Sequence, residues 1–155
     1  YQELEKFSLS AWGQKAHGAG APDVLLAGGV SFGALGGADA FLECFFAREL
    51  KPALARVEAF ADQPDESLPL LGLLGWNVRQ LALIVCDRER GTRHAKINPY
   101  LAERFTRWAG LWSLKDVEAL QSRLMAIDFG FKQTPLLPLG LWSGLVQEFC
   151  GQRQA

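Results

Sequence analysis

The sequence predicts an all-α fold, an antiparallel bundle of about six helices preceded by a short helical remnant. Two observations favour it: apolar residues recur at intervals of three and four along most of the chain, and no stretch alternates apolar and polar residues for long. Intervals of three and four place apolar side chains on one face of a helix. The 155 residues, 49% apolar and 21% charged, are enough for one ordinary core.

The first 37 residues are expected to form a separate unit. Helical spacing from Gln2 to Lys15 predicts one helix, and Asp23 is expected to cap a short second helix that reaches Ala27. Seven glycines between residues 18 and 37 raise the backbone entropy cost of any longer helix there. We therefore place a domain boundary after residue 37, with one helical domain over 38–155.

Six helix-sized blocks follow the boundary. The first three cover about 38–47, 50–61 and 68–88. The fourth begins at 99 and the fifth at 113, and two prolines at 135 and 138 precede the sixth. Asn98 is expected to cap the fourth helix, with Pro99 at its first position. Ser113 and Asp116 have the spacing of a capping box for the fifth. The third block is apolar around most of its circumference, which predicts a helix at the centre of the core.

The charge balance limits the kinds of partner. Sixteen Lys and Arg residues stand against 17 Asp and Glu residues, a formal net charge of −1, so no global positive field attracts nucleic acid. The basic connection over 88–96 is interpreted as a solvated loop, with a local phosphate contact as the alternative. The apolar runs at 68–74 and 136–141 are far shorter than the ~20 residues that span a bilayer, so no membrane partner is expected.

Motifs for catalysis and cofactor binding are not expected in this chain. The glycines between residues 18 and 37 include no lysine, which excludes a phosphate-binding P-loop, and Gly28 to Gly33 is interpreted as a linker. The three cysteines lie far apart, without the close pairing typical of metal sites, and are expected to be reduced, buried and structural. We therefore predict no catalytic residues, no metal site and no cofactor.

The five tryptophans are the sequence's strongest candidates for partner contacts. Core packing is the simpler interpretation of each. Since Trp and Arg are favoured at protein interfaces, Trp76 and Arg79 form the first candidate pair, and Trp108 and Trp142 are further interface candidates.

The order of the blocks from residue 40 to 150 resembles the C-terminal collar domain of the bacterial DNA polymerase III delta-subunit family. The resemblance covers about three quarters of the chain. It is carried by the order and spacing of short segments: DAF at 39–41, KPAL at 51–54, ESLPLLGLL at 66–74, VRQL at 78–81, NPY at 98–100, WSL at 112–114 and DFGFK at 128–132. Residues 1–37 resemble the end of the lid domain that precedes the collar in this AAA+ family.

The resemblance implies a role in the clamp loader, the assembly that places the sliding clamp on primed DNA during replication. It implies a bacterial cytoplasmic protein that binds no ATP and whose collar domain packs against the ATPase subunits and delta prime. Contact with the sliding clamp is implied only for the family's N-terminal domain. Because the chain starts at Tyr1 without a leader sequence, we expect it to begin inside a longer protein.

Direct DNA contact is a further expectation from the resemblance. In related complexes the turn before the last delta helix lies near the primed DNA end, and the matching residues here are Lys132 and Gln133, followed by Thr134 and Pro135. That segment offers no aromatic side chain to stack on a base. Primed DNA is therefore expected to be contacted mainly through the assembly.

Two other interpretations of the residues stay open. One is a free-standing helical adaptor that binds an unrelated protein, although no internal repeat indicates a regular solenoid. The other is a helical enzyme or ligand carrier with a pocket near Cys86 and His94, which requires polar groups to converge on buried faces.

Overall fold

The computed structural model describes residues 37–60, 67–93, 97–133 and 138–151. Helices occupy nearly all of that part of the chain, and no β-strand occurs within it, so the predicted all-α bundle is confirmed. The helices expected at Gln2 to Lys15 and at Asp23 to Ala27 lie outside the described residues, and the domain boundary after residue 37 stays a prediction. The six helices are α1 (Ala38–Phe46), α2 (Leu50–Phe60), α3 (Ser67–Arg90), α4 (Pro99–Ala109), α5 (Leu114–Gln133) and α6 (Pro138–Cys150).

The helix starts follow the local sequence signals. The Asn98 side chain accepts a hydrogen bond of 3.0 Å from the Tyr100 N–H, and Pro99 occupies the first turn, as predicted for α4. At α5 the Ser113 hydroxyl accepts from the Asp116 N–H at 3.1 Å, and the Asp116 carboxylate accepts from the Ser113 N–H at 3.2 Å. The predicted capping box is therefore present, with aspartate in the role usually taken by glutamate.

Helix α3 is the longest in the described part and packs against α4 and α5. Its buried residues, including Leu74, Leu81 and Val85, share the face turned to those helices. Pro69 does not interrupt it, because a first-turn N–H has no intrahelical acceptor to lose.

Helix α3 matches the predicted third block in length and in apolar character. Among the described residues, it alone is long and apolar enough to cross a bilayer, with a mean hydropathy of 1.5 over an 18-residue window that is 44% buried. The central helix of a bundle meets the same criterion, as its packing against α4 and α5 illustrates.

An aromatic cluster forms the centre of the core. Phe46 stacks on Trp108 with ring centroids 4.6 Å apart, and Trp112 stacks on Phe149 at 6.0 Å. Phe45 lies between the two pairs, 5.3 Å from Phe46 and 6.0 Å from Trp112. Offset and edge contacts of this kind add to the hydrophobic gain of burying the rings. The cluster joins α1, α4, the α4–α5 connection and α6.

Ion pairs join α1 to α4 on the outside of this cluster. Arg104 pairs with Asp39 and with Glu43 at 2.7 Å each, and Arg107 also pairs with Glu43. The Arg104 guanidinium lies 4.5 Å from the Trp108 ring centroid and covers its face. This network fixes α4 beside α1 and covers Trp108.

Candidate functional site

An open cleft of about 430 Å³ lies at the α4–α5 connection. Its lining combines two arginines, one carboxylate and the connecting backbone: Arg48, Arg88, Gly110, Leu111, Trp112, Ser113 and Asp116. Three chain segments meet here, the α1–α2 turn, the end of α3 and the start of α5. Whether the cleft can bind a ligand depends on whether its charged side chains already form contacts within the protein.

Arg48 occupies an unusual backbone position at the end of α1. Its φ of 60° is in the left-handed region, and it is the one non-glycine residue with positive φ in the described part. The Arg48 N–H donates to the Phe45 carbonyl at 3.0 Å, and the Glu49 N–H donates to the Cys44 carbonyl at 2.9 Å. These two bonds define a Schellman ending, in which glycine usually takes the position of Arg48.

The Arg48 side chain explains why arginine stands there. It is almost fully buried, donates from Nη1 to the Phe149 carbonyl at 2.9 Å, and pairs through Nη2 with Asp116 at 2.7 Å. Its guanidinium also lies 4.0 Å from the Trp112 ring centroid. A single side chain therefore connects the α1–α2 turn to the start of α5 and the end of α6, which compensates for the strained backbone.

Asp116 is held in its ionised form. Burial opposes its ionisation, but hydrogen bonds from Ser113 and the neighbouring Arg48 guanidinium outweigh burial and lower the pKa of Asp116 below its usual value. The same carboxylate caps α5 and pairs with Arg48. It is therefore committed to two structural contacts.

The end of α3 holds the other side of the cleft. Arg88 donates to the Ala109 carbonyl and, at 2.9 Å, to the Trp112 carbonyl, both at the carboxyl end of α4. Glu89 accepts from the Leu114 N–H at the amino end of α5 at 3.0 Å. The Arg88 guanidinium thus lies at the negative end of the α4 dipole, and the Glu89 carboxylate lies at the positive end of the α5 dipole.

These contacts indicate a structural junction. The two arginines and the carboxylate of the cleft bind one another or helix ends. Within the described ranges, no three His, Cys, Asp or Glu side chains are grouped closely enough to hold a metal ion.

The four predicted interface residues divide into two groups. Trp76 is half-buried against Phe105, with ring centroids 6.0 Å apart, and Arg79 is exposed one turn further along α3. Trp108 and Trp142 are 0% and 1% exposed. Those two indoles are core residues in this conformation, so their assignment to an interface is corrected.

The DNA-proximal candidates also differ from the expected location. Lys132 and Gln133 form the last turn of α5 instead of the turn before α6, and both are exposed. Lys132 pairs with Asp128 at 2.6 Å, one helical turn earlier. Thr134 and Pro135 lie outside the described residues.

The cysteines are free thiols in three different environments. Cys150 is buried, donates to the Phe45 carbonyl at 3.5 Å, and has its pKa raised to about 12 by burial. Burial also raises the pKa of Cys44, which is only half-buried, as is Cys86. The expectation of three buried thiols is thus correct for Cys150 alone. Cys86 does not line the cleft, and His94 lies outside the described residues.

Sequence reasoning missed the large apolar side chains that point to solvent. On α3, Leu68 is 57% and Leu83 is 46% exposed; on α5, Met125 is 67% and Phe129 is 62% exposed. Tyr100 and Leu139 are exposed as well. Met125 and Phe129 lie off the α5 stripe that includes Leu124, so periodicity could have identified them, whereas α3 is apolar around most of its circumference. Their exposure reveals two apolar faces, one on α3 and one on α5.

Comparison of the chain with protein-family models, with curated proteins and with solved structures found no match.

Proposed function

We propose that this chain is an assembly domain from the delta subunit of a bacterial DNA polymerase III clamp loader. Its role is to pack against other loader subunits, the ATPase subunits and delta prime, in the complex that loads the sliding clamp onto primed DNA. The proposal starts from the resemblance of residues 40–150 to the collar domain of that family, in the order and spacing of their segments.

The observation that carries the assembly role is the pair of exposed apolar faces on α3 and α5. Leu68, Leu83, Met125 and Phe129 each leave about half or more of the side chain in solvent. Single exposed apolar residues are ordinary, but Met125 and Phe129 lie one turn apart on α5, and Leu68 and Leu83 flank the partly buried Trp76 on α3. Exposed apolar side chains that share a helix face are typical of protein interfaces, and an assembly domain requires them on its outside.

The α4–α5 cleft supports a non-catalytic role. Arg48 and Asp116 bind each other, and Arg88 binds backbone carbonyls, so the cleft's charges stabilise the bundle. A substrate that required them would have to break contacts that cap two helices. In this proposal the domain contributes contact surface, takes no cofactor and is cytoplasmic. It approaches DNA and the sliding clamp only as part of the assembly.

Size-exclusion chromatography of the chain with purified ATPase and delta-prime subunits from the same organism tests the proposal. We expect the chain to co-elute with them in stoichiometric amount at 0.1 M and at 0.5 M salt, because an apolar interface is little screened by ions. Full-length delta is the positive control. If full-length delta co-elutes and the chain elutes alone, the collar role is wrong, and the free-standing adaptor becomes the better account.

A further inference from the structure

The outer face of α3 has the geometry of a docking strip for a helix. Leu68, Trp76, Arg79 and Leu83 are separated by eight, three and four positions, which places them on one side of α3, opposite the buried face that includes Leu81. At a rise of about 1.5 Å per residue the strip is about 22 Å long, or four helical turns. We call these four residues the α3 strip.

The α3 strip is open to close approach along its edge. Gly75 has no atom within 4 Å of the position that a Cβ would occupy. Trp76 is partly buried and packs against Phe105, so its ring is held in place while part of it stays accessible. The rigid, partly buried Trp76 indole and the open space beside Gly75 can together accommodate a side chain of a partner.

The charge of the α3 strip indicates which kind of partner it can bind. Arg79 is exposed and forms no ion pair with any described residue. The carboxylate of Glu89, further along the same helix, is engaged by the Leu114 N–H and by Arg88. The strip therefore carries one uncompensated positive charge within an apolar row, and a guanidinium there can bind a carboxylate through two parallel hydrogen bonds.

The same charge argues against a second copy of this chain. If two α3 strips packed together about a two-fold axis, neither Arg79 would meet a carboxylate, because the four residues of the strip include no acid, and both charges would stay unpaired at the interface. Lys132 and Arg123, beside the α5 face, do not select a partner by charge in this way, because Lys132 is paired with Asp128 and Arg123 with Glu148.

We propose that the α3 strip binds an amphipathic helix of a neighbouring subunit that places an Asp or Glu carboxylate opposite Arg79. This rests on the proposed assembly function, and it adds the face and the chemistry of the partner. Leu68 and Leu83 bury apolar residues at the two ends of the partner helix, Trp76 receives one at its middle, and Arg79 fixes its register through the carboxylate.

The test compares affinities of the chain and of three variants for the purified ATPase and delta-prime subunits by isothermal titration calorimetry. Arg79→Glu and Leu83→Asp alter the α3 strip, and Lys51→Glu, an equal charge reversal at an exposed position of α2 outside both apolar faces, is the matched control. All three positions are exposed, and urea unfolding of each variant checks that the fold is kept. We expect about a 30-fold loss of affinity for each α3 variant, as for an interface hot spot, and less than about a twofold change for the control.

A charge-reversal exchange then identifies the partner's group. A photo-cross-linking residue at position 79 locates the partner helix, and replacement of its carboxylate by lysine is expected to restore binding of Arg79→Glu. If the unaltered chain binds but both α3 variants bind equally well, the α3 strip is not the contact, while the assembly role stands. If the unaltered chain binds no subunit, both the assembly function and the α3 docking proposal fail. If the chain forms a dimer that Leu83→Asp dissociates, the α3 strip binds a second copy of the chain and the docking proposal is wrong.

Discussion

Arg48 and Asp116, 68 positions apart in sequence, form an ion pair of 2.7 Å that joins the α1–α2 turn to the start of α5. The same arginine reaches the Phe149 carbonyl near the end of α6. Three elements that are distant in sequence thus depend on one side chain in a left-handed backbone conformation. The stability of the bundle should therefore be unusually sensitive to this residue.

Substitution of Arg48 separates the side-chain contribution from the backbone strain. Arg48→Gly suits φ 60° but removes the ion pair and the bond to the Phe149 carbonyl, so the free energy of unfolding should fall by about 3 kcal/mol. Arg48→Ala should be less stable than Arg48→Gly by about 1 kcal/mol, because alanine is strained there. Urea unfolding at pH 7 measures both. An alanine variant as stable as the glycine variant would show that the backbone is not strained as described.

The ion pair also predicts a dependence of stability on pH. The pKa of Asp116 is lower in the folded protein than its ordinary value of 3.8, so its contribution to stability is present above that value and is lost as the pH falls through the folded pKa. The stability advantage of the unaltered chain over Asp116→Asn should therefore be constant from pH 5 to 7 and shrink below about pH 4. Urea unfolding from pH 3 to 7 tests this. An advantage that does not change with pH would contradict the assignment.

Two tryptophans of the aromatic cluster form a matched pair for a hydrogen-bond test. The Trp112 indole N–H donates to the Phe46 carbonyl at 2.9 Å, whereas the Trp108 indole N–H has no hydrogen-bond partner among the described residues. Trp112→Phe should lower the free energy of unfolding by about 1–3 kcal/mol more than Trp108→Phe, since it leaves a buried carbonyl without a donor. Both variants lose a similar ring area. Equal losses in thermal and urea unfolding would mean that packing alone governs the two positions.

Glycines in and after α3 should respond to alanine in opposite directions. Gly75 lies inside the helix with open space around its Cβ position, so Gly75→Ala should stabilise the isolated chain by about 1 kcal/mol. Gly91 ends the helix at φ 65°, and Gly91→Ala should destabilise it by about 1 kcal/mol. Thermal unfolding of the two variants measures the difference. A Gly75→Ala variant of reduced stability would indicate that the helix is tighter at this point than described.

Features encoded within a few residues were predictable from the sequence. The Asn98 cap, the Ser113–Asp116 capping box and the six helices depend on local spacing and were assigned correctly. Arg48 was not singled out, because no local pattern distinguishes an arginine that ends a helix in the left-handed region. Its partners are 68 and 101 positions away, and only the folded chain brings them together.

Only some residues of the candidate interface were predictable from the sequence, because burial also depends on contacts between distant segments. Trp76, Trp108 and Trp142 all lie among apolar residues at helical spacing, and only packing distinguishes the fully buried Trp108 and Trp142 from the partly buried Trp76. Arg79 was recognised as a companion of Trp76, but exposed Leu68 and Leu83 were not, since the third block is apolar on nearly every side.

The central claim, a place in the clamp-loader collar, is tested most directly by competition with full-length delta. The chain is added in increasing excess while a clamp loader is assembled from purified subunits, and ATP-dependent loading of the sliding clamp onto primed DNA is measured. We predict that the chain displaces full-length delta and that loading falls in proportion, whereas Arg79→Glu competes about 30-fold less well. Undiminished loading, with full-length delta retained at saturating excess of the chain, would contradict the claim.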